Sequence, residues 1–282
     1  MLITMSIGIG LKYINNATKS IKENQSLVQN TLLVDDILKI LKRLPQLQDI
    51  NSTEYLATLL RESPKISLQT KDIDIILHLS SARAKINPVV FKKTKALESF
   101  KIFLQNNMVN TGYADIFFDL INGYKPDGLY ATDIFNDYPE LYREGISSPA
   151  QLDFLADVYK RKYHENSIDK LAMKDILYMS DSTTNEGVDA NYLSSLGWQL
   201  ILGCGEERAN ELLSDGFLYP TKKDLEDALS KEEKKLIIPF KVGVYMKIMT
   251  VEMQINKNGQ ESSIKFEYNI KTKKGSNFVF KI

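Results

Sequence analysis

Apolar residues recur at three- and four-residue steps through much of the chain, and that period predicts helices. Leu33, Ile37, Ile40, Leu41 and Leu44 form one such stripe, so a helix is expected over 32–44, ended by Pro45. Another is expected over 51–61, with Tyr55, Leu56, Leu59 and Leu60 apolar and Asn51 and Glu54 at capping-box spacing. Asn87-Pro88 forces a break. After it, Phe91, Leu97, Phe100, Phe103 and Leu104 predict a helix over 89–105. Further helices are expected over 112–121 (burying Phe117, Phe118, Leu120 and Ile121), 130–142 with an interruption before Pro139, 167–179, and 191–202 around Trp198. Ser148, Pro149 and Gln151 make a helix start ahead of Leu152, Leu155, Ala156 and Tyr159. Ser230 and Glu233 start another by the same logic, and Pro239 interrupts it.

Two-residue alternation comes late. Ile264, Phe266, Tyr268 and Ile270, then Phe278, Phe280 and Ile282, flank the turn at Lys273–Ser276 and predict a hairpin over 262–282. Two stretches stay ambiguous. Residues 71–79, KDIDIILHL, read as a strand or as the first half of a helix running to Lys85, and 242–255 has mixed periodicity. NGYKPDG at 122–128 reads as a turn, and SDSTTNEGVD at 180–189 as a polar, acidic loop. The fold expected is mainly α: a multi-helix globular fold with a small C-terminal antiparallel hairpin. Its regions would be 1–110, 111–239 with a duplicated helix-turn-helix unit, and 240–282, or all of these in one domain.

Composition narrows the partners. Thirty-six basic residues balance thirty-six acidic ones, so a broad positive field for phosphate is missing and nucleic acid would need a local patch. Hydrophobic content of 43% and charged content of 26% are those of a globular protein. Cys204 is the only cysteine, which excludes an internal disulfide and a Cys-based zinc cage and points to a reducing, intracellular setting. His78 and His164 are the only histidines, so His-rich metal sites are excluded as well. Residues 1–11 are apolar and uncharged, too short to span a bilayer and without a signal peptide's positive start; they read as a buried strand or helix turn. No other stretch is long and apolar enough to cross a membrane.

One skeleton occurs twice. Glu140, Leu141, Glu144, Gly145, Ile146, Pro149, Asp153 and Phe154 match Glu211, Leu212, Asp215, Gly216, Phe217, Pro220, Asp224 and Leu225. Each copy places a glycine at a helix C-cap, an apolar staple after it, and a new helix near a proline. The second copy is preceded by Gly203-Cys204-Gly205, then Ala209, Leu212 and Leu213. This resembles the helix-hairpin-helix motif, and with Gly216-Phe217 and Asp224-Leu225 it is similar to the fingers region of family-X DNA polymerases. The resemblance, over about 191–228, implies sequence-independent contact with a phosphate backbone by the hairpin at 203–213. Gly203, Gly205, Arg208, Lys222 and Lys223 would be the contacting residues. Glu206 and Glu207 stand where that family has basic side chains, and no palm domain follows.

Other candidate chemistry is sparse. Asp72 and Asp74 have the Asp-x-Asp spacing of nucleotidyltransferases, but residues 60–71 lack the glycine turn that seats phosphates. Cys204 precedes a helix, as a thiol nucleophile would, yet Glu206 and Glu207 oppose a low pKa. His78 follows an apolar run and reads as a core histidine; His164 lies in a charged, exposed segment. The lysine and arginine clusters at 92–95, 160–162 and 271–274 read as solvated faces. The function expected is a non-enzymatic interaction or structural protein with a protein partner and no cofactor. Nucleic-acid binding through the hairpin is the alternative.

Overall fold

The computed structural model describes residues 31–43, 45–48, 50–62, 66–69, 73–123, 129–139, 141, 146, 148–179, 186–213, 218–257 and 260–281. The expectation for residues 1–11, the turn at 124–128, Asp72 and both repeat glycines, Gly145 and Gly216, lie outside them. The chain divides into two compact units. Among the described residues, one takes in those up to Asn51, then Tyr55–Ser80 and those from Lys247 onward; the other takes in Ser52–Glu54 and those of Ser81–Met246.

The first unit holds helix α1 (31–43), helix α2 (Pro45–Gln48), most of helix α3 (Thr53–Glu62) and strands β1 (Ile66–Gln69) and β2 (Ile73–Ser81). α1 buries Val34, Ile37 and Leu41 and exposes Ile40, so its apolar stripe lies slightly to one side of the one read from the sequence. Of KDIDIILHL, the described residues from Ile73 onward form a strand. Ile75, Leu77 and Leu79 are buried, while Asp74 and His78 are exposed on the opposite face. His78 is therefore not a core histidine, because the two-residue period turns it away from its apolar neighbours.

After the second unit the chain returns as β5 (Ile248–Lys257), β6 (Gln260–Asn269) and β7 (Lys274–Lys281). The sheet order is β1-β2-β5-β6-β7, with β1–β2, β5–β6 and β6–β7 antiparallel. The expected hairpin is thus two strands of a five-stranded sheet, and the fold is mixed helix and sheet. Met249, Val251, Met253 and Ile255 on β5 and Ile264, Phe266 and Tyr268 on β6 are buried on one face. Each such side chain contributes about 1.5–3 kcal/mol by leaving water. Glu252 and Lys265 pair across the other face at 2.7 Å. α1 lies beside the last strand: a side chain placed at Gly275 would meet Leu38 Cδ2 at 3.1 Å.

The second unit is mostly helical. A 3₁₀ turn (Pro88–Lys92) precedes α4 (Thr94–Asn106), α5 (Gly112–Asn122), α6 (Ile134–Asp137) and α7 (Pro149–Tyr163). A second 3₁₀ turn (Ser167–Lys170), α8 (Met173–Ile176) and β3 (Val188–Asp189) follow, then a third 3₁₀ turn (Ala190–Tyr192), α9 (Ser195–Leu202), α10 (Glu206–Glu211), α11 (Lys222–Ala228), α12 (Lys231–Leu236) and β4 (Val242–Gly243). β3 and β4 pair in parallel. The helix expected over 89–105 is broken at Lys93, whose extended backbone (ψ 128°) separates the 3₁₀ turn from α4. The break lets Phe91 stack on Phe100 at 4.8 Å and meet Phe117 and Phe240 edge-on. Trp198 and Tyr159 are fully buried in the same core. Two helix starts are as expected, Ser148–Gln151 and Ser230–Glu233 forming complete capping boxes, and Thr221–Asp224 adds a third; α3 begins at Thr53 rather than at a cap on Asn51, and α9 at Ser195 rather than at 191.

Candidate functional site

The hairpin at 203–213 joins α9 to α10. α9 ends at Gly203 in the left-handed region (φ 60°, ψ 28°), and Gly205 caps α10 from an extended conformation. A Cβ at Gly203 would stand 2.9 Å from Ile102 Cγ2, and Asn106 Nδ2 donates to the Gly203 carbonyl at 3.1 Å. The first glycine therefore serves a tight turn packed on α4. Ala209 is fully buried. α10 is only six residues long and carries Glu206 and Glu207 in its first turn, an unfavourable seat for an anion.

Arg208 is engaged elsewhere. Its Nε and Nη2 donate to the two Glu233 oxygens at 2.8 and 2.9 Å, Nη1 donates to Glu211 at 2.8 Å, and Nη2 also reaches the Ala228 carbonyl at 2.8 Å. The Arg208 guanidinium holds the Glu233 carboxyl down to about 2, against an opposing effect of partial burial. Lys222 pairs with Glu226 at 3.3 Å, and Lys223 is exposed on α11. Phosphate contact by Gly203, Gly205, Arg208, Lys222 and Lys223 gains no structural observation in its favour.

Cys204 is half-buried. Burial pushes its thiol up, and the Glu233 charge adds to this. A raised thiol is a poor nucleophile near neutral pH. His164 sits exposed at the left-handed C-cap of α7. Among the described residues no group of three or more His, Cys, Asp or Glu is placed to hold a metal. A polar cleft of about 600 Å³ opens at the sheet between Ser67, Asp74, Gln254, Asn256, Ser263 and Lys281. Besides these hydroxyls and amides, the Asp74 and Glu261 carboxylates, the Lys281 amine and Ile75, Ile76 and Ile255 line it, without a histidine or thiol.

The most developed polar constellation in the second unit was not legible in the sequence. Asp189, the end of the expected polar loop, is fully buried. Its Oδ1 accepts from Asn191 N–H at 3.1 Å and its Oδ2 from Met246 N–H at 2.9 Å, while its own N–H donates to the Arg83 carbonyl at 2.8 Å. Asn191 Nδ2 donates to the Val244 carbonyl at 2.8 Å, and its Oδ1 accepts from Tyr219 N–H at 2.7 Å. Arg83 also pairs with Glu186. Burial raises the Asp189 carboxyl to about 6, opposed by its two N–H donors. The segment that leaves the sheet at 81–83 and the one that returns at 244–246 are thus fastened to the same carboxylate-centred joint.

The exposed chemistry of the first unit lies at β7. This strand closes the order of the sheet. Phe278 stacks on the buried Phe266 at 5.3 Å yet is 39% exposed, and Val279 is 51% exposed. An irregularity in the β6–β7 pairing lies between Lys265 and Glu267, opposite Asn277 (φ 54°) and Phe278. Lys271, Lys273 and Lys274 at one end of the strand and Lys281 at the other are exposed.

These elements define a class: an α-helix and an antiparallel sheet in one unit, with a helical unit inserted between two neighbouring strands of that sheet. No family model matches the chain, and no curated protein matches it. Among solved structures it is similar to a chain of the GspK-GspI-GspJ complex from the enterotoxigenic Escherichia coli Type 2 Secretion System. The TM-score is 0.56 at 11% identity, and the match takes in 93% of this chain and 99% of that one. At this identity the likeness is one of fold. It overturns the resemblance to family-X polymerase fingers, which covered one helical hairpin; the match to the chain of the GspK-GspI-GspJ complex extends over nearly the whole chain. No helix among the described residues is long and apolar enough to cross a membrane.

Proposed function

We propose that this protein is a structural, non-enzymatic subunit of a multi-protein assembly of the kind represented by the GspK-GspI-GspJ complex. The observation that carries the reading is the extent of the fold likeness, which leaves almost none of either chain unmatched. The match takes in residues of both units, whereas a lone helical hairpin matches many unrelated proteins. The exposed apolar residues on β7 are consistent with a surface completed by another protein. The nucleic-acid alternative has no comparable support, because the Arg208 donors are directed to Glu233, Glu211 and the Ala228 carbonyl.

The test is to tag the chain at its native locus, cross-link in living cells and identify what is bound. The expected result is a stable complex with chains that share the helix-and-antiparallel-sheet fold, together with impaired export of protein when this chain is deleted. Purification as a lone monomer from cross-linked cells, with export unchanged on deletion, would remove the reading. Fractionation of the same cells also tests the intracellular setting, which rests on the lone Cys204.

A further inference from the structure

We propose that the outer edge of β7, from Phe278 to Lys281, receives an extended, acidic segment of a partner protein as an added strand. The inference rests on the reading as an assembly subunit, and it names where one partner binds and with what chemistry. β7 is the last strand in the sheet order, and no further strand follows it among the described residues. Phe280 pairs with Ile264 and Phe278 stacks on Phe266, which places both rings on the apolar face; Val279 pairs with Lys265 on the polar face. Phe266 is fully buried, while Phe278 beside it is 39% exposed. One more strand would cover that ring and Val279 together.

Edge strands are usually protected by lysines and bulges. β7 has both devices, and their positions discriminate between occupants. The irregularity takes in Asn277 and Phe278, which together stand opposite Phe266, so regular pairing with β6 resumes over Val279–Lys281: Lys265↔Val279, Ile264↔Phe280 and Ser263↔Lys281. Lys271, Lys273 and Lys274 flank one end of the strand and Lys281 the other. A second copy pairing β7 on β7 would bring like charges together, which disfavours self-association. Of the nearby carboxylates, Glu267 is buried and accepts from Asn277 Nδ2, while Glu252, paired with Lys265, also acts on Lys281, and Asp74 and Glu261 line the sheet cleft together with Lys281, so the positive charge of this edge is concentrated at Lys271, Lys273 and Lys274. A partner strand with an apolar middle and acidic ends fits the edge. Main-chain hydrogen bonds would supply affinity, and the lysines would set orientation and choice of partner.

The experiment uses the full chain and a fluorescent synthetic peptide of alternating valine and threonine, closed at both ends by glutamates. Saturable binding is expected, weakened about tenfold or more when lysines replace the glutamates and abolished when alternate backbone amides are N-methylated. In the double variant Lys274→Glu/Lys281→Glu the preference should reverse toward the lysine-ended peptide; should that variant fail to fold, the peptide comparison on the unaltered chain still decides. No saturable binding of the glutamate peptide, equal binding of both peptides, or undiminished binding of the N-methylated one would each overturn the proposal. So would dimerisation of the chain that Val279→Lys abolishes, since the occupant would then be a second copy. Failure of the peptide with the assembly still recovered from cells removes only the edge site. Peptide binding without a recovered assembly removes the assembly reading instead.

Discussion

Two glycines only two positions apart carry different burdens. Gly203 has φ 60° and stands against Ile102, whereas Gly205 has φ −76° and nothing within 4 Å of the place a Cβ would occupy. Gly203→Ala should therefore cost about 1–3 kcal/mol, from left-handed strain and the Ile102 contact. Gly205→Ala should change stability by less than about 0.5 kcal/mol. Denaturant melts of the two variants separate them, and equal losses would show that the turn is not built as described. In the sequence the two glycines look equivalent, and the helix-hairpin-helix resemblance gives both the same phosphate-contacting role. Their difference depends on Ile102, on a helix far away along the chain. Asp189 makes the same point with a polar side chain. Its acidic, glycine-containing surroundings read as solvated loop, and only the return of the chain to Met246 makes it a buried acceptor.

At the scale of elements, Arg208 of α10 joins the end of α11, through the Ala228 carbonyl, to Glu233 in the first turn of α12. Glu233 also accepts from Ser230 N–H at 2.7 Å, so one carboxylate completes a capping box and an ion pair together. Its folded value of about 2 lies below its ordinary 4.5. The contribution to stability is complete above about 4.5 and is lost as pH falls toward 2. Arg208→Met should thus destabilise the protein at neutral pH by about 1–2 kcal/mol, since the pair is partly open to solvent. The difference from the unaltered chain should shrink at pH 3, as urea melts at the two values would register. A loss independent of pH would mean that Arg208 acts through packing alone. The capping boxes at Ser148 and Ser230 were legible beforehand because capping is a short-range exchange between a side chain and nearby backbone N–H groups. The strand at Ile73–Ser81 was left open because a short apolar run satisfies either period until neighbouring strands are known. Likewise the break at Lys93 is imposed by aromatic packing on both sides of it, which local spacing does not reveal.

On the scale of the whole molecule, the second unit is an insertion between β2 and β5, strands that are neighbours in the sheet. The Arg83 carbonyl and Met246 N–H both bond to Asp189, so the outgoing and returning chains are close in space. Replacing 84–245 by a short Gly/Ser linker should leave the first unit folded, because the sheet keeps its own buried face from Ile75 through Tyr268. The excised chain should keep a strand-type circular dichroism spectrum and melt cooperatively. A spectrum of unfolded chain would show that this core depends on the inserted unit. The linear sequence regions divide near 110 and 239, while the compact units change at 80–81 and 246–247. Composition and punctuation mark loops, but an insertion is defined by which strands pair across it.

By itself the sequence determined what acts over a few residues: the helix starts at Ser148 and Ser230, the breaks at prolines, the alternation of the last strands and the lack of disulfide and His-rich metal chemistry. Those properties follow from backbone hydrogen bonding, side-chain period and residue count. The tertiary structure alone decided that the terminal hairpin belongs to a five-stranded sheet, that Asp189 is buried at a joint, that Gly203 serves packing and that Phe278 and Val279 stand open on an edge. Each of these depends on contacts between segments distant in sequence, and no local pattern carries that information.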